Sequence, residues 1–282
     1  MRQSEVLFRS YLYVVGYRED HIAKAYGSDV DAVILELEDA VAPDRKDAAR
    51  RTIRDVLQAD PPKPTLVRIN PIGSGHTRDD LDAVADLPLA AIRVAKAESV
   101  SDVRLVSTWL AELGSDLPLH LLLESAQAIE HAYAILTADP RVTGVGIGEQ
   151  DLSADLGVSG DDGLAYARSR VVTAAAAAGI APPVQSVWTD IRDLEGLRTS
   201  CERGRQLGFV GRPALHPAQI EAINEAYTPS PTEVADAQEV QAAFDAAISA
   251  GEAGFTLPDG RFVDRAVVRS AQRTLALHRG GS

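Results

Sequence analysis

Short apolar, β-branched runs alternate along this chain with longer amphipathic segments. That alternation constrains the fold more than any single motif, because a strand followed by a helix that returns to the strand's starting edge builds parallel sheet. Strands are predicted over 10–16, 32–38, 65–70, 91–96, 119–124, 142–147, 184–188 and 209–211. Eight such units fit an α/β protein with a closed (β/α)₈ TIM barrel, and 282 residues suffice for one. The helices between them carry ordinary signals. Pro43 stands in a first turn, Ser99 offers a hydroxyl cap, and the alanine tract within 162–179 is a strong helix former. A segment over 216–227 completes the barrel, so 1–227 is expected to be the catalytic barrel domain. A proline-rich joint at 228–232, a helix over 233–250, a turn-rich stretch from Gly254 to Phe262 and a last helix from near Asp264 form a helical extension, 228–282. A barrel alone does not require that tail.

Composition removes several classes of function. No apolar run reaches the roughly 20 residues that span a bilayer, and Met1 to Glu5 are followed by no apolar signal core. The chain is therefore expected to be soluble, cytoplasmic and without a membrane partner. Its net charge of −13, from 28 Lys and Arg against 41 Asp and Glu, runs opposite to the balance of a nucleic-acid binder. Basic residues do gather at Arg45, Lys46, Arg50, Arg51 and Arg54. They form either a solvated helix face or a landing surface for a phosphorylated ligand. The one cysteine, Cys201, excludes an internal disulfide and a cysteine-based zinc site. The six histidines contain no His-x-x-x-His pair and are expected to be surface or structural. Phosphate-binding and serine-esterase motifs are missing as well.

Charged residues collect where such a barrel keeps its active site, at the carboxyl ends of the strands. Strand two ends Leu35-Glu-Leu-Glu-Asp-Ala, which places Glu36 and Glu38 on one face. Strand three carries Arg68, strand four ends at Lys96, strand five at Glu124, and Asp151 follows strand six. Burying so many charges is costly unless they pair with each other, a metal or a ligand. Glu124 and Asp151 are either helix-capping acids or the hard oxygen ligands of a Mg²⁺ ion whose shell waters and an oxygen-rich substrate complete. Strand six has glycine at every second position, Gly144, Gly146 and Gly148, which leaves room for a ligand or for close packing of a neighbour.

An ordered set of motifs then resembles one family. Arg9-Ser-Tyr-Leu-Tyr-Val-Val-Gly resembles its R-S-x-L-x-V-P-G opening, with Val15 in place of proline. Glu36-Leu-Glu-Asp-Ala-Val resembles its D-L-E-D-A-V, with Glu36 in place of aspartate. Val67-Arg-Ile-Asn70, Ala95-Lys96, Leu122-Leu-Glu-Ser125, Asp190-Ile-Arg-Asp-Leu-Glu-Gly196, Leu215-His-Pro-Ala-Gln-Ile220 and Gly260-Arg-Phe-Val-Asp264 follow in order. The whole chain thus resembles the HpcH/HpaI aldolase and citrate lyase β-subunit superfamily in its CitE-like branch, with malyl-CoA and citramalyl-CoA lyases among its members. The resemblance implies a TIM barrel, assembled as a homotrimer or hexamer, that uses Mg²⁺ to make or break the bond between a 2-oxo acid and the α-carbon of an acyl-CoA or acyl-carrier thioester. It implies Glu124 and Asp151 as metal ligands, and Arg68, Glu38, Asp39 and Asp264 as catalytic residues. Asp264 would reach a neighbouring subunit's site from the carboxy-terminal extension. Substrate contacts would come from Arg68, Lys96, Gly148, Glu149 and Arg9. A free-acid pyruvate aldolase, a malyl-CoA thioesterase, and a citrate lyase β chain active only in a larger complex are the alternatives.

Overall fold

The computed structural model describes residues 7–249, 255–257 and 259–280. Residues 1–5, Ala250, Gly254 and Pro258, named above, lie outside the described residues. In chain order the elements begin β1 (Ser10–Val15), α1 (Glu19–Tyr26), β2 (Ala32–Glu36), α2 (Lys46–Gln58), β3 (Thr65–Ile69), α3 (Thr77–Val84), β4 (Ala91–Val94) and α4 (Val100–Glu112). They continue β5 (Leu119–Leu123), α5 (Ala126–Glu130), α6 (Ala132–Leu136), β6 (Val142–Ile147), α7 (Glu149–Leu156), α8 (Ala165–Ala178), α9 (Leu194–Leu207) and β7 (Arg212–Ala214). The last are α10 (Ile220–Tyr227), α11 (Pro231–Ser249), β8 (Phe255–Thr256), β9 (Phe262–Val263) and α12 (Arg265–Gly280).

The α/β class holds, but the main sheet has seven strands where eight were expected. All are parallel, in the order β6-β5-β4-β3-β2-β1-β7. The expected strand over 184–188 is reduced to an isolated bridge between Val184 and Gly146. Pro182 and Pro183 precede it and have no N–H to give to a ladder. Its backbone is still paired on both sides. Val184 N–H donates to Val145 and Gln185 N–H to Gly211, while Val210 N–H donates to the Pro183 carbonyl. Residues 209–211 are engaged there, so the last strand starts at Arg212 rather than Phe209. At Gly211 a β-carbon would stand 2.7 Å from the Arg9 carbonyl oxygen, which explains the glycine at this approach.

The two-residue period of the strands sorts their side chains onto two faces. Val33, Leu35, Val67, Ile69, Ile92, Val94, Leu121, Leu123, Val145 and Ile147 pack against the helices in the main core. Ala32, Ile34, Leu66 and Ala91 point the other way and join Tyr11 and Val184 in a second cluster. This inner plug comes from the amino-terminal ends of the strands, and it leaves the carboxyl ends for polar groups. Ser99 caps α4 by accepting the Asp102 N–H, as its position predicts.

The basic cluster around α2 divides: Arg45 and Arg51 are exposed and Arg54 is half-exposed on the solvated face, whereas Lys46 and Arg50 turn inward. Lys46 is buried, and its ammonium donates to the carbonyls of Leu37 and Glu38 and to Asn70 Oδ1. Arg50 is buried against Asp80 at 2.8 Å and Asp47 at 2.7 Å. Lys46 therefore ties α2 to the segments that follow β2 and β3, and Arg50 ties it to α3. Among the described residues no helix is long and apolar enough to cross a membrane. Beyond α10, helices α11 and α12 and the β8–β9 hairpin share a small core of Ala237, Val240, Leu257, Val263, Val268 and Ala271. Leu277 of α12 also meets Leu7 and Val210.

Candidate active site

The carboxyl ends of β2 and β3 bring acid and base together by register. Glu36 and Arg68 are paired positions, and Arg68 Nε donates to Glu36 Oε2 at 2.6 Å. Glu38, two residues on, faces the same way: its Oε2 lies 3.1 Å from Arg68 Nη1, an ion pair without hydrogen-bond alignment. Glu36 and Glu38 are each 2% exposed. Burial raises the Glu36 carboxyl above its usual range, while the Arg68 guanidinium beside it pulls the other way.

Lys96 joins three of these acids. Its ammonium lies 2.7 Å from Glu38 Oε1 and 3.3 Å from the exposed Asp39, and its backbone N–H donates to Glu124 Oε2 at 3.1 Å. This residue has φ of +47°, in the left-handed region that side chains other than Gly, Asn and Asp seldom occupy. The turn lets one residue hold Glu124 with its backbone and Glu38 with its side chain.

Glu124, immediately after β5, is buried, and Asp151 stands exposed in the first turn of α7. Both line a cavity of about 340 Å³ together with Tyr13, Glu36, Arg68 and Arg93. The Glu124 carboxyl is pushed up to about 7, first by burial and then by the like charges of Glu38 and Asp151, against the pull of Arg68 and Lys96. Among the described residues no three His, Cys, Asp or Glu side chains converge to hold a metal ion by themselves. Two hard carboxylates on one cavity, one of them buried and short of positive charge, fit a divalent cation whose remaining ligands are waters and substrate oxygens.

The glycines of β6 are occupied by neighbours. A β-carbon at Gly144 would stand 2.8 Å from the His120 ring, and one at Gly146 would stand 2.8 Å from Arg93 Nη2. At Gly148 it would overlap Glu124 Oε1 and lie 2.5 Å from Glu124 Cγ. The missing side chains thus make room for protein groups, and the Gly148 position sets where the Glu124 carboxylate rests. Gly148→Ala is expected to turn that carboxylate away and weaken Mg²⁺ binding about tenfold to a hundredfold, the range seen for lost outer-shell support of a ligand. Calorimetric titration of the folded variant with Mg²⁺ checks this; an unchanged affinity would mean the carboxylate is positioned by something else.

Three other expected site residues lie outside this cluster. Glu149 is taken by Arg168, at 2.6 and 2.8 Å, and does not line the cavity. Arg9 precedes β1 at the amino end of the sheet, where Asp31 and Thr228 hold its guanidinium. Asp264 is exposed at the start of α12, accepting N–H bonds from Ala266 and Val267 that keep its carboxyl below the usual range. Two groups escaped the sequence reading. Arg93 in mid-β4 and His120 in β5 both point inward and are buried. The inward phase of Arg93, in register with Arg68, was the signal that could have found it.

Residues 9–217 match the model of the HpcH/HpaI aldolase/citrate lyase family. A (3S)-malyl-CoA thioesterase of Cereibacter sphaeroides is 38% identical over 95% of this chain and 94% of its own. An L-malyl-CoA/beta-methylmalyl-CoA lyase of the same species is 32% identical over 94% of this chain and 92% of its own. The crystal structure of CitE from Mycobacterium tuberculosis in complex with magnesium, acetoacetate and coenzyme A superposes with a TM-score of 0.73 at 30% identity, covering 97% of this chain and 98% of that one.

Proposed function

The chain belongs to the HpcH/HpaI aldolase/citrate lyase family, and from that premise we propose that it is a Mg²⁺-dependent carbon–carbon lyase acting on 3-hydroxyacyl thioesters such as malyl-, citramalyl- or citryl-CoA. The observation that carries this reading is the buried Glu124 lining one cavity with Asp151 and Arg68. Glu124 and Asp151 would hold the ion. When bound, Mg²⁺ supplies a Lewis acid and a template for the carboxylate and adjacent oxygen of an oxo acid.

In the cleavage direction the hydroxyl proton leaves its oxygen, and the bond from that carbon to the thioester α-carbon breaks. The electron pair passes to the thioester enolate, and a proton returns to the α-carbon. One 2-oxo acid and one acyl thioester result. Arg68, fixed by Glu36 and Glu38, presents a rigid set of donors to the oxygen on which negative charge grows. Lys96 holds Glu124 in place with its backbone N–H and pairs with Glu38 through its ammonium. Glu38 and Asp39 border the site as its remaining acids. Asp264 moves the α-carbon proton from a neighbouring subunit of a homotrimer or hexamer, with 228–282 as the element that reaches across. Within the single chain it is exposed and far from needing a proton; covering by a partner would raise its pKa toward the working range. A closed eight-fold barrel and a cytoplasmic location belong to the same reading, the first supported by the backbone bonds of Val184 and Gln185 to both flanking segments.

The relatives named as thioesterases favour a second reading, in which water attacks the thioester in the same cavity. Incubation with malyl-, citramalyl- and citryl-CoA separates the two. A lyase releases an oxo acid and acyl-CoA without free thiol, whereas hydrolysis releases free CoA and the intact hydroxy acid. If mass spectrometry finds neither pair of products with any of the three, the enzyme acts on something else.

Proton competition at Glu124 gives a further expectation. A carboxylate that must ionise to bind metal, with a metal-free pKa of about 7, loses ligand strength as pH falls through 7. Mg²⁺ is expected to bind about tenfold more weakly at pH 6 than at pH 8, since each pH unit below the pKa costs a factor of about 10 in ionised ligand. Equal affinity at both pH values, read by calorimetry, would remove Glu124 from the metal shell.

A further inference from the structure

Arg68 and Arg93 occupy paired register positions on β3 and β4, and both line the cavity. They also share the Tyr13 ring, their guanidinium carbons 4.8 and 5.9 Å from its centroid. Like charges side by side across a ladder repel unless each is neutralised. Arg68 has two carboxylates, Glu36 and Glu38, and Lys96 has Glu38 and Asp39. Among the described residues Arg93 has no carboxylate within ion-pair distance. It is 1% exposed, its Nε–H has no partner, and its Nη1 meets only the His120 ring, 3.2 Å from Nδ1. His120 brings no counter-charge: burial, and then Arg93 itself, disfavour its protonation, so the ring is a neutral acceptor. Gly146 supplies the space in which Arg93 sits.

A desolvated guanidinium without an acid is an unfavourable arrangement for a protein interior, and it becomes favourable when a ligand supplies the acid. We propose that Arg93 binds a second carboxylate on the small substrate, so that the oxo acid handled in this cavity is a dicarboxylate. Arg93 has this role only if the cavity binds an oxo acid at all, as proposed above. Arg68, with the Mg²⁺ that Glu124 and Asp151 would hold, would take the 2-oxo-carboxylate end, which every candidate oxo acid shares. Arg93, the group left with positive charge to spare, distinguishes a molecule with a second anionic end from glyoxylate or pyruvate. A hydrophobic or neutral side chain on the oxo acid would leave the guanidinium unpaired and is selected against.

Calorimetric titration of the Mg²⁺-loaded protein with pyruvate, oxaloacetate and 2-oxoglutarate tests this by binding alone. At least one dicarboxylate is expected to bind at least about tenfold more tightly than pyruvate, the gain of one charge-assisted pair. In Arg93→Met that preference disappears while the pyruvate affinity stays within about twofold; Arg93→Lys, which keeps a charge but not the fork, retains part of it. Methionine in place of a buried unpaired charge is expected to leave the melting temperature unchanged or raised. Pyruvate binding as tightly as both dicarboxylates in the unaltered protein overturns the proposal, and so does a preference that survives in Arg93→Met. Because the unaltered protein decides the first of these, a variant that failed to fold would not shelter the idea. Failure of all three acids to bind would count against the lyase reading as well, whereas pyruvate binding without preference counts only against Arg93.

Discussion

Glu124→Ala is expected to eliminate Mg²⁺ binding in a calorimetric titration and to lower kcat/KM by about three orders of magnitude, the loss of roughly 4 kcal/mol of metal-based stabilisation. Activity that persists equally in excess chelator would sink the metal assignment. Glu124→Gln separates binding from packing, because the amide keeps the volume and still accepts the Lys96 N–H. The metal-free protein carries a second signature. Glu124 has a folded pKa of about 7 against an unfolded value of 4.5, so the folded state holds the proton more strongly. Its contribution is fully present below about pH 4.5 and is lost as pH rises through 7. The loss amounts to at most about 3 kcal/mol above that window. Metal-free Glu124→Gln should therefore melt above the unaltered protein at pH 8 and close to it at pH 5. The reverse order would mean that the cavity stabilises the carboxylate without a cation.

Asp264→Asn is expected to reduce turnover by about 10² to 10⁴ with little change in substrate binding, the usual share of a general acid or base. The neighbouring-subunit placement proposed for Asp264 adds a test of its own. Co-expressed Asp264→Asn and Glu124→Ala chains would form mixed oligomers in which some cavities join an intact Glu124 to an intact Asp264 of another chain. Activity well above either variant alone is the expected outcome. If mixing restores nothing although mixed oligomers are seen by native mass spectrometry, Asp264 serves its own chain or serves only to cap α12.

Much of the fold was legible because its cause is local. The two-residue period put Glu36 and Glu38 on one face, and parallel pairing with β3 then set Arg68 against them. Six strands lie within two residues of where the apolar runs put them. The seventh was misjudged because Val184-Gln-Ser-Val-Trp188 has the right composition, but the two prolines before it cannot donate to a ladder. Pairings between distant segments were not legible. Glu149 meets Arg168, Arg50 meets Asp80, and the β6 glycines face side chains of β4 and β5, all decided by tertiary packing. Arg93 was overlooked for a different reason. A basic residue inside an apolar run reads as part of a strand, although its phase points it inward.

The left-handed backbone at Lys96 limits how this position can drift or be redesigned. In a saturation library, glycine and asparagine would tolerate the conformation and keep the amide on Glu124 while giving up the ammonium. Valine, isoleucine and threonine would forfeit both, since a branched β-carbon collides with the backbone at such dihedrals. Survivors selected for metal retention alone should be enriched in those two small residues, and survivors selected for turnover should return to lysine.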